Sequence, residues 1–222
     1  MKTALLALLL PALAGAMHFN PTSPEGGGED VISAHDGRGA FYTVYNLFDG
    51  RNNSIQVNRL NASGVLWTVE HADNVREKAY AAAVDADGNL FVVGERLVNR
   101  QKYMLLLKFG SGGNLEREVT DNNNDCSATS VLVDHDNWVV AAGLCRYGDN
   151  RPVRIVKFDN DLGFYWGAEY DRGGRNYLHA LQADVKGVIS ASIEGVYGDI
   201  RDGSYRTVTA VYTPEGQLQE ER

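Results

Sequence analysis

The chain has 222 residues, 44% of them hydrophobic, and carries 21 Lys and Arg against 29 Asp and Glu, for a formal net charge of −8. A chain of this length can bury one substantial core, whereas nucleic acids and anionic membranes are bound through a basic stripe. Because the Lys and Arg residues are dispersed along an acidic chain, the composition argues against a nucleic-acid partner.

The first sixteen residues, MKTALLALLLPALAGA, have the pattern of a signal peptide. Lys2 precedes an apolar run that is too short to span a bilayer, and the small residues Ala14 and Ala16 form a cleavage site. We therefore expect a periplasmic or secreted protein that begins at Met17 and does not insert into the membrane. The cleavage site lacks the Cys of a lipoprotein, so no lipid anchor is expected; a buried N-terminal helix is the alternative.

Residues 17–30 contain two Pro and three consecutive Gly, which is typical of a flexible lead. The rest of the chain, residues 31–222, repeats a pattern of four short strand-like segments. A glycine-anchored turn occurs once in each repeat, at intervals of 49, 50 and 53 residues: Gly64, Gly113, Gly163 and Gly216. A period near 50 residues with four strands indicates the blades of a β-propeller.

In chain order, the sequence predicts blades at about 31–78, 79–126, 127–176 and 177–222. In the second repeat, 79–97 holds two apolar strands that meet at a turn containing Gly88. The first strand of that repeat is rich in Ala, which suits a crowded central axis, and the next two are rich in Val, Leu and Phe. The predicted fold class is all-β: a four-bladed β-propeller-like repeat domain with four antiparallel strands per blade. A sandwich of β-hairpins is the alternative.

Ring closure is the least constrained part of this prediction. The chain continues for only six residues after Gly216, so the fourth blade has to complete itself. Closure then depends on side-chain packing between the first and fourth blades. A ring that stays open would expose apolar faces and favour a homodimer.

The second and third repeats resemble bacterial propeller repeats of the SBBP type and, more loosely, NHL repeats. The matching residues are Ala83, Asp87, Gly88, Asn89 and Gly94 with Lys108-Phe109, and Gly143 with Lys157-Phe158. The fourth repeat departs from the pattern at Val185-Lys186-Gly187, and the first has no Gly after its second strand. The resemblance implies a shape for residues 31–222 and no particular activity.

Two cysteines, Cys126 and Cys145, flank the first hairpin of the third repeat. With a two-residue turn at His135-Asp136 they would lie directly opposite each other, and with a three-residue turn they would lie diagonally. We expect a disulfide, because the exported compartment is oxidising. Free thiols or half of a metal site are the alternatives.

No other metal or catalytic motif is complete. The segment Asp85–Asn89 begins like a calcium loop, but the position where an EF-hand needs Glu is Arg96. Nucleophile elbows, phosphate loops and zinc motifs are missing from the sequence. Of the five histidines, only His71, next to Asp73, and His179, on a strand expected to line the axis, are catalytic candidates, and a structural role is the alternative for each. The sequence therefore predicts no metal and no cofactor, and it leaves the catalytic residues unknown.

Two loops near the third blade are rich in arginine and tyrosine, the residues enriched at binding hot spots. The candidate binding residues are Arg146, Tyr147, Arg151, Tyr170, Arg172, Arg175 and Tyr177. They favour an exported, non-enzymatic binding or interaction propeller whose ligand is an unknown protein or glycan. The alternative is a small secreted glycan-acting hydrolase with carboxylates near the axis.

Overall fold

A computed structural model of the protein describes residues 31–48, 50, 53–121, 125–196 and 205–221. The predicted signal peptide and the predicted lead, residues 1–30, lie outside the described residues. Within the described ranges, no helix is long and apolar enough to cross a membrane.

The described strands form four antiparallel sheets of four consecutive strands each, which confirms the predicted fold class. Blade 1 comprises β1 (Ile32–His35), β2 (Phe41–Phe48), β3 (Asn53–Asn61) and β4 (Gly64–His71). Blade 2 comprises β5 (Arg76–Val84), β6 (Leu90–Val98), β7 (Gln101–Phe109) and β8 (Leu115–Thr120). Blade 3 comprises β9 (Cys126–Val133), β10 (Val139–Cys145), β11 (Val153–Phe158) and β12 (Phe164–Tyr170). Blade 4 comprises β13 (Asn176–Ala183), β14 (Ile189–Val196), β15 (Tyr205–Tyr212) and β16 (Leu218–Glu221).

Each blade packs face to face against the next one along the chain. Three hydrophobic clusters fill the junctions between blades 1 and 2, blades 2 and 3, and blades 3 and 4. Blade 2 is covered on both faces, so residues 90–94 of β6 and 104–109 of β7 are buried without a break. In blade 4, β14 alternates between buried and partly exposed residues, because only one face of its sheet is covered.

In the first hairpin of blade 2, and likewise of blade 3, the two strands approach each other so closely that one position requires glycine. A Cβ on Gly94 would lie 1.8 Å from the Lys78 carbonyl oxygen, and one on Gly143 would lie 1.9 Å from the Ser127 carbonyl oxygen. A register shift accompanies each contact, at Ala79/Ala81 in blade 2 and beside Gly143 in blade 3. The two glycines of the repeat pattern therefore mark β-bulges.

The turn before the fourth strand differs from the prediction in blade 3. Equivalent backbone bonds close these turns, from Gly113 N to Gly110 O (2.8 Å), from Leu162 N to Asp159 O (3.0 Å) and from Gly216 N to Thr213 O (2.9 Å). The residue equivalent to Gly113 and Gly216 is therefore Leu162, with φ 58°, and Gly163 does not have a positive φ. Spacing alone misplaced this turn by one residue, because a non-glycine residue holds the left-handed position.

Tryptophans from neighbouring blades cover two of these turns. The indole N–H of Trp67 donates to the Ser111 carbonyl (3.1 Å), and a Cβ on Gly113 would lie 2.9 Å from its ring. In the same way, Trp166 donates to the Pro214 carbonyl (2.7 Å) above Gly216.

At the junction of blades 2 and 3 both partners differ. Arg117 pairs with Lys108 in the same way that Trp67 pairs with Arg59, so Arg117 holds the position of the tryptophan. The residue at the position of the turn glycine is the buried Leu162. An exposed arginine therefore replaces the tryptophan, and a buried leucine replaces the glycine of the turn. A shallow polar depression of about 360 Å³ opens beside Arg117.

In the described part of the chain, no hydrophobic cluster joins blade 4 to blade 1. The outward face of blade 4 is polar, with partly exposed Ser190 and Ser192 on β14 and Thr209 on β15. His179 also lies on this face, with Nε2 2.8 Å from Glu194 Oε2. Ring closure by side-chain packing is therefore not confirmed, and the described blades form an arc with three packed junctions.

Candidate functional site

The two ends of the blades present different segments. The turns after the first and third strands of each blade lie at one end, the turn end. The second-to-third-strand loops and the connections between blades lie at the other end, the loop end. The predicted binding residues belong to two segments at the loop end, 146–151 in blade 3 and 170–177 between blades 3 and 4. These two segments are called the platform.

Backbone hydrogen bonds join the two segments of the platform. The Arg151 N–H donates to the Gly174 carbonyl (2.9 Å), and the Arg151 carbonyl accepts from the backbone N–H of Asn176 (3.3 Å). The side-chain amide of Asn176, which is fully buried, donates to the same carbonyl (2.9 Å). The Gly174 N–H also donates to the Asn150 side-chain oxygen (3.2 Å). The platform is therefore held together across the boundary between two blades.

A disulfide anchors the first segment to the blade 3 sheet. Cys126 and Cys145 are bonded, as the sequence predicts, and both are buried. Near the turn, Val133 pairs with Val139, a register that would not place the two cysteines opposite each other. A β-bulge that leaves Thr129 unpaired shifts the register by one residue, so that Cys126 pairs with Cys145. The bulge, and not a two-residue turn, makes the pairing direct.

The structure places the predicted binding residues at different depths. Those at the surface are Arg146, Tyr147, Arg172 and Arg175, and those partly buried are Arg151 and Tyr177. Tyr170 is only 3% exposed and belongs to the core between blades 3 and 4. Tyr170 is therefore not part of the exposed surface.

Some polar groups of the platform are already paired. The Tyr147 hydroxyl donates to Glu169 Oε1 (3.0 Å), and burial together with this bond raises the pKa of Tyr147 to about 12. Arg172 Nε donates to Glu221 Oε1 (2.9 Å). A hydrogen bond with Tyr170 and the Arg172 charge lower the pKa of the Glu221 carboxyl.

The other three arginines of the platform are not neutralised. In the described part of the chain, Arg146, Arg151 and Arg175 form no ion pair with a carboxylate. By contrast, the nearby Arg154 binds Asp121, with Nη2 3.2 Å from Oδ1. The platform therefore holds three arginines without a direct ion pair in the described residues, although Asp149 and Asp171 lie in the same two segments.

The sequence-based prediction missed the two amides that hold the platform together, Asn150 and Asn176. The available signal was an Asn within or directly after each arginine-containing segment, since Asn side chains bond backbone groups in loops. Asn176 shows this role most clearly, because a fully buried amide needs hydrogen-bond partners.

A second group of charged residues lies between blades 1 and 2. Ligand atoms of Asp73, Glu77 and Glu118 lie within 4.8 Å of one another, and Arg96 forms ion pairs with all three. His71 Nε2 lies 3.0 Å from Glu77 Oε2, and this hydrogen bond raises the pKa of His71. These five residues are called the junction cluster. Arg96 already supplies a positive charge there, so the carboxylates by themselves do not argue for a metal ion.

The inner strands supply mainly small side chains. Buried residues on β5 and β9 include Ala79, Ala81, Ala83, Ala128 and Ser130. Glu95 on β6 is a carboxylate close to these strands, and it accepts from Lys102 Nζ (2.8 Å) and Ser127 Oγ (2.6 Å). Burial opposes ionisation of Glu95, but the bonds from Lys102 and Ser127 lower its pKa. Glu95 is therefore poorly suited to act as a general acid.

No protein-family model matches the sequence, and no curated protein matches it. Solved structures of low identity are similar in shape. A mannose phosphorylase from Leishmania mexicana is 12% identical, with a TM-score of 0.45, over 88% of this chain and 68% of that one. A β-fructofuranosidase from Bombyx mori is also 12% identical, with a TM-score of 0.45, over 86% of this chain and 48% of that one. A neuraminidase-like protein of a little yellow-shouldered bat isolate is 10% identical, with a TM-score of 0.49, over 85% of this chain and 57% of that one. This chain thus spans about half the length of the latter two proteins, and these similarities carry no information on function.

Proposed function

We propose that this protein is an exported, non-enzymatic binding module that contacts its ligand through the platform. The observation that carries the proposal is the fixing of two arginine- and tyrosine-containing segments from different blades. The bonds of Arg151 to Gly174 and Asn176 join the segments, and the disulfide at Cys145 anchors the first of them. Loops that are ordered before binding lose less conformational entropy on binding.

The chemistry of the exposed side chains suits recognition. Tyr147 is 43% exposed although its hydroxyl is tied to Glu169, so its ring is held in place and available for contact. Rigid tyrosines give a large contact area at a small entropic cost, and arginines provide directed hydrogen bonds.

The inner strands support binding more than hydrolysis. Glycoside cleavage needs one carboxyl group with a raised pKa and a second one nearby. Among the described residues, the carboxyl groups with clearly displaced pKa values are all displaced downward: Asp36, Glu95 and Glu221. The buried alanines on the inner strands supply no catalytic group.

Export is part of the proposal and rests on two features. The first sixteen residues have the pattern of a signal peptide, and a buried disulfide suits an oxidising compartment. Membership of the SBBP-type repeats likewise remains a proposal, supported by the bulge glycines Gly94 and Gly143. Sequencing the N-terminus of secreted material should return Met17, and a sequence starting at Met1 would contradict export by cleavage.

The binding function is tested with a panel of immobilised polysaccharides, both neutral and acidic, and immobilised acidic and basic peptides. We expect retention of the purified protein on at least one member without release of reducing ends. The Tyr147→Ala variant should lose retention. The matched control is Tyr165→Ala, because Tyr165 has a similar exposure (48%) but lies on β12, near the turn end.

Three outcomes would contradict the proposal. Retention on no member of the panel would contradict binding to these ligand classes. Release of reducing ends from a polysaccharide would show an enzyme. Equal loss of retention in the Tyr147 and Tyr165 variants would show that the platform is not the binding surface.

A further inference from the structure

The loop of blade 3 brings two arginines together. Its antiparallel ladder continues from β10 and β11, where Leu144 pairs with Val153, to a reciprocal pair of bonds between Tyr147 and Asn150 (3.0 and 3.1 Å). In this register Arg146 lies opposite Arg151. They form a non-hydrogen-bonded pair, in which the two Cα atoms are about 4.5 Å apart and the side chains leave from the same face.

The connection between the blades adds a third arginine. Arg151 forms a parallel bridge with Arg175, through the bonds that join the two segments. Neighbouring strands lie about 4.8 Å apart, so Arg146, Arg151 and Arg175 occupy successive positions across three backbone segments. These three residues are called the arginine row.

Such a row is unfavourable without a counter-charge. Like charges directly opposite each other on a ladder destabilise it. Asp149 and Asp171 lie in the same two segments, but no carboxylate in the described part of the chain forms an ion pair with any of the three arginines. The backbone bonds of Arg151 fix the spacing, so the chain cannot relieve the repulsion by moving the segments apart. A ligand that carries several anionic groups would relieve it.

The geometry also discriminates between linear anions. The side chains of an extended peptide that face one way are about 6.7 Å apart, which is wider than the spacing of the row. In an oligosaccharide with one anionic group on every sugar, successive anionic groups are one sugar ring apart. That distance is closer to the spacing between neighbouring arginines of the row.

The platform also lacks the usual means of binding a peptide. Peptides commonly add a strand to a free sheet edge or insert side chains into an apolar pocket. The backbone groups of Arg151 and of the Tyr147–Asn150 turn are already bonded within the platform. Of the tyrosines in the platform, Tyr147 directly follows Arg146 and so leaves from the opposite face of the ladder, and Tyr177 is partly buried.

We infer that the arginine row binds a linear acidic oligosaccharide that carries a carboxylate or a sulfate on successive sugars. This inference rests on the proposed binding function and names its ligand class. Each guanidinium binds one anionic group, in the bidentate geometry that Arg forms with carboxylates and sulfur or phosphorus oxyanions.

The test uses pairs of polymers that differ only in charge. Polygalacturonate is compared with its fully methyl-esterified form, dextran sulfate with dextran, and poly-glutamate represents acidic peptides. We expect the protein to bind the acidic member of at least one sugar pair, and neither neutral member. Affinity should fall between 0.15 M and 1 M salt, because the Debye length shortens from about 8 to about 3 Å.

Single variants locate the site. Arg146→Gln, Arg151→Gln and Arg175→Gln should each weaken binding about ten-fold, which corresponds to about 1.4 kcal/mol. Arg151→Lys should recover part of the loss, since it keeps the charge but not the bidentate geometry. Arg38→Gln is the matched control, because Arg38 is exposed at the turn end. Unchanged melting temperatures show that each variant is folded.

The outcomes separate this inference from the function on which it rests. Retention on neutral polysaccharides alone, or equal affinity for the charged and esterified polymers, would overturn the inference and leave a binding function in place. Tighter binding to poly-glutamate would assign the row to an acidic peptide and also overturn it. No retention on any of these polymers would overturn the inference, and the binding function would be contradicted only if the wider panel of polysaccharides and peptides also retained nothing. If Arg38→Gln weakens binding as much as the row variants do, the arginine row is not the binding site.

Discussion

The junction between blades 2 and 3 tests how neighbouring blades are held together. At the two other junctions a tryptophan covers a glycine turn, whereas here Arg117 accompanies Leu162. We predict that Arg117→Trp combined with Leu162→Gly rebuilds the tryptophan contact, and that the two changes are coupled. The introduced indole N–H would reach the Asn160 carbonyl, which is equivalent to the Ser111 and Pro214 carbonyls.

The magnitude follows from burial and backbone conformation. Leu162 is 2% exposed, and removing a buried leucine side chain destabilises by about 2–5 kcal/mol. Its φ of 58° is unfavourable for a non-glycine residue by about 1–2 kcal/mol, which Leu162→Gly relieves. The net loss is about 2 kcal/mol, or about 4–8 °C in Tm for a chain of this length. Arg117→Trp alone should change the free energy of unfolding by less than about 0.5 kcal/mol, because Arg117 is exposed.

In the double variant, indole burial and one hydrogen bond should restore about 2 kcal/mol. The assay is equilibrium urea unfolding of the wild type, both single variants and the double variant, analysed as a double-mutant cycle. Arg117→Trp with Leu162→Ala is the matched control. It should show no recovery, since a Cβ at this turn would lie within about 3 Å of the ring, as a Cβ at Gly113 or Gly216 would. Additive effects in the glycine double variant, within about 0.5 kcal/mol, would refute the reasoning.

Three further predictions concern the disulfide and two buried charged groups. Cys126→Ser should destabilise the protein by about 3 kcal/mol, because it removes the crosslink to Cys145, 19 residues away. Peptide mapping without reduction should find the two cysteines linked, and two free thiols would contradict the bond. His71 has a raised pKa, so the stability that it adds is complete below about pH 6.5 and is lost as the pH rises through its folded pKa. The stability difference between wild type and His71→Gln should therefore shrink from pH 6 to pH 9, and a constant difference would count against the junction cluster. Lys157→Met should destabilise by about 3–5 kcal/mol, because it leaves the buried Asp134 without its cation (3.2 Å), whereas a loss below 1 kcal/mol would show that the pair is dispensable.

Much of the fold could be predicted because blades are local structures. A hairpin is specified by residues that are close together in the sequence. Gly88 marks a turn, and the apolar residues on either side of it mark the two strands. The same pattern also distinguishes blades by how many of their faces are covered. The continuous apolar run of β7 indicates a blade covered on both faces, whereas the alternation in β15 indicates a blade with one open face.

The candidate site was predictable only in part. The Gly148-Asp149 turn gives a hairpin register that places Arg146 opposite Arg151, so this pair could have been derived from the sequence. The addition of Arg175 could not, because a parallel bridge between segments of two blades depends on how the blades pack.

The sequence by itself determined the four-stranded repeat, the positions of most turns and the cysteine pair. These features arise from turn chemistry and from the two-residue period of β-strands, which act over a few neighbouring residues. The tertiary structure decided which sheet faces are buried, that Leu162 takes the place of a glycine, and that Tyr170 belongs to the core. It also assembled the arginine row from segments about 25 residues apart, because contacts between blades depend on how entire sheets stack, and no local pattern encodes that arrangement.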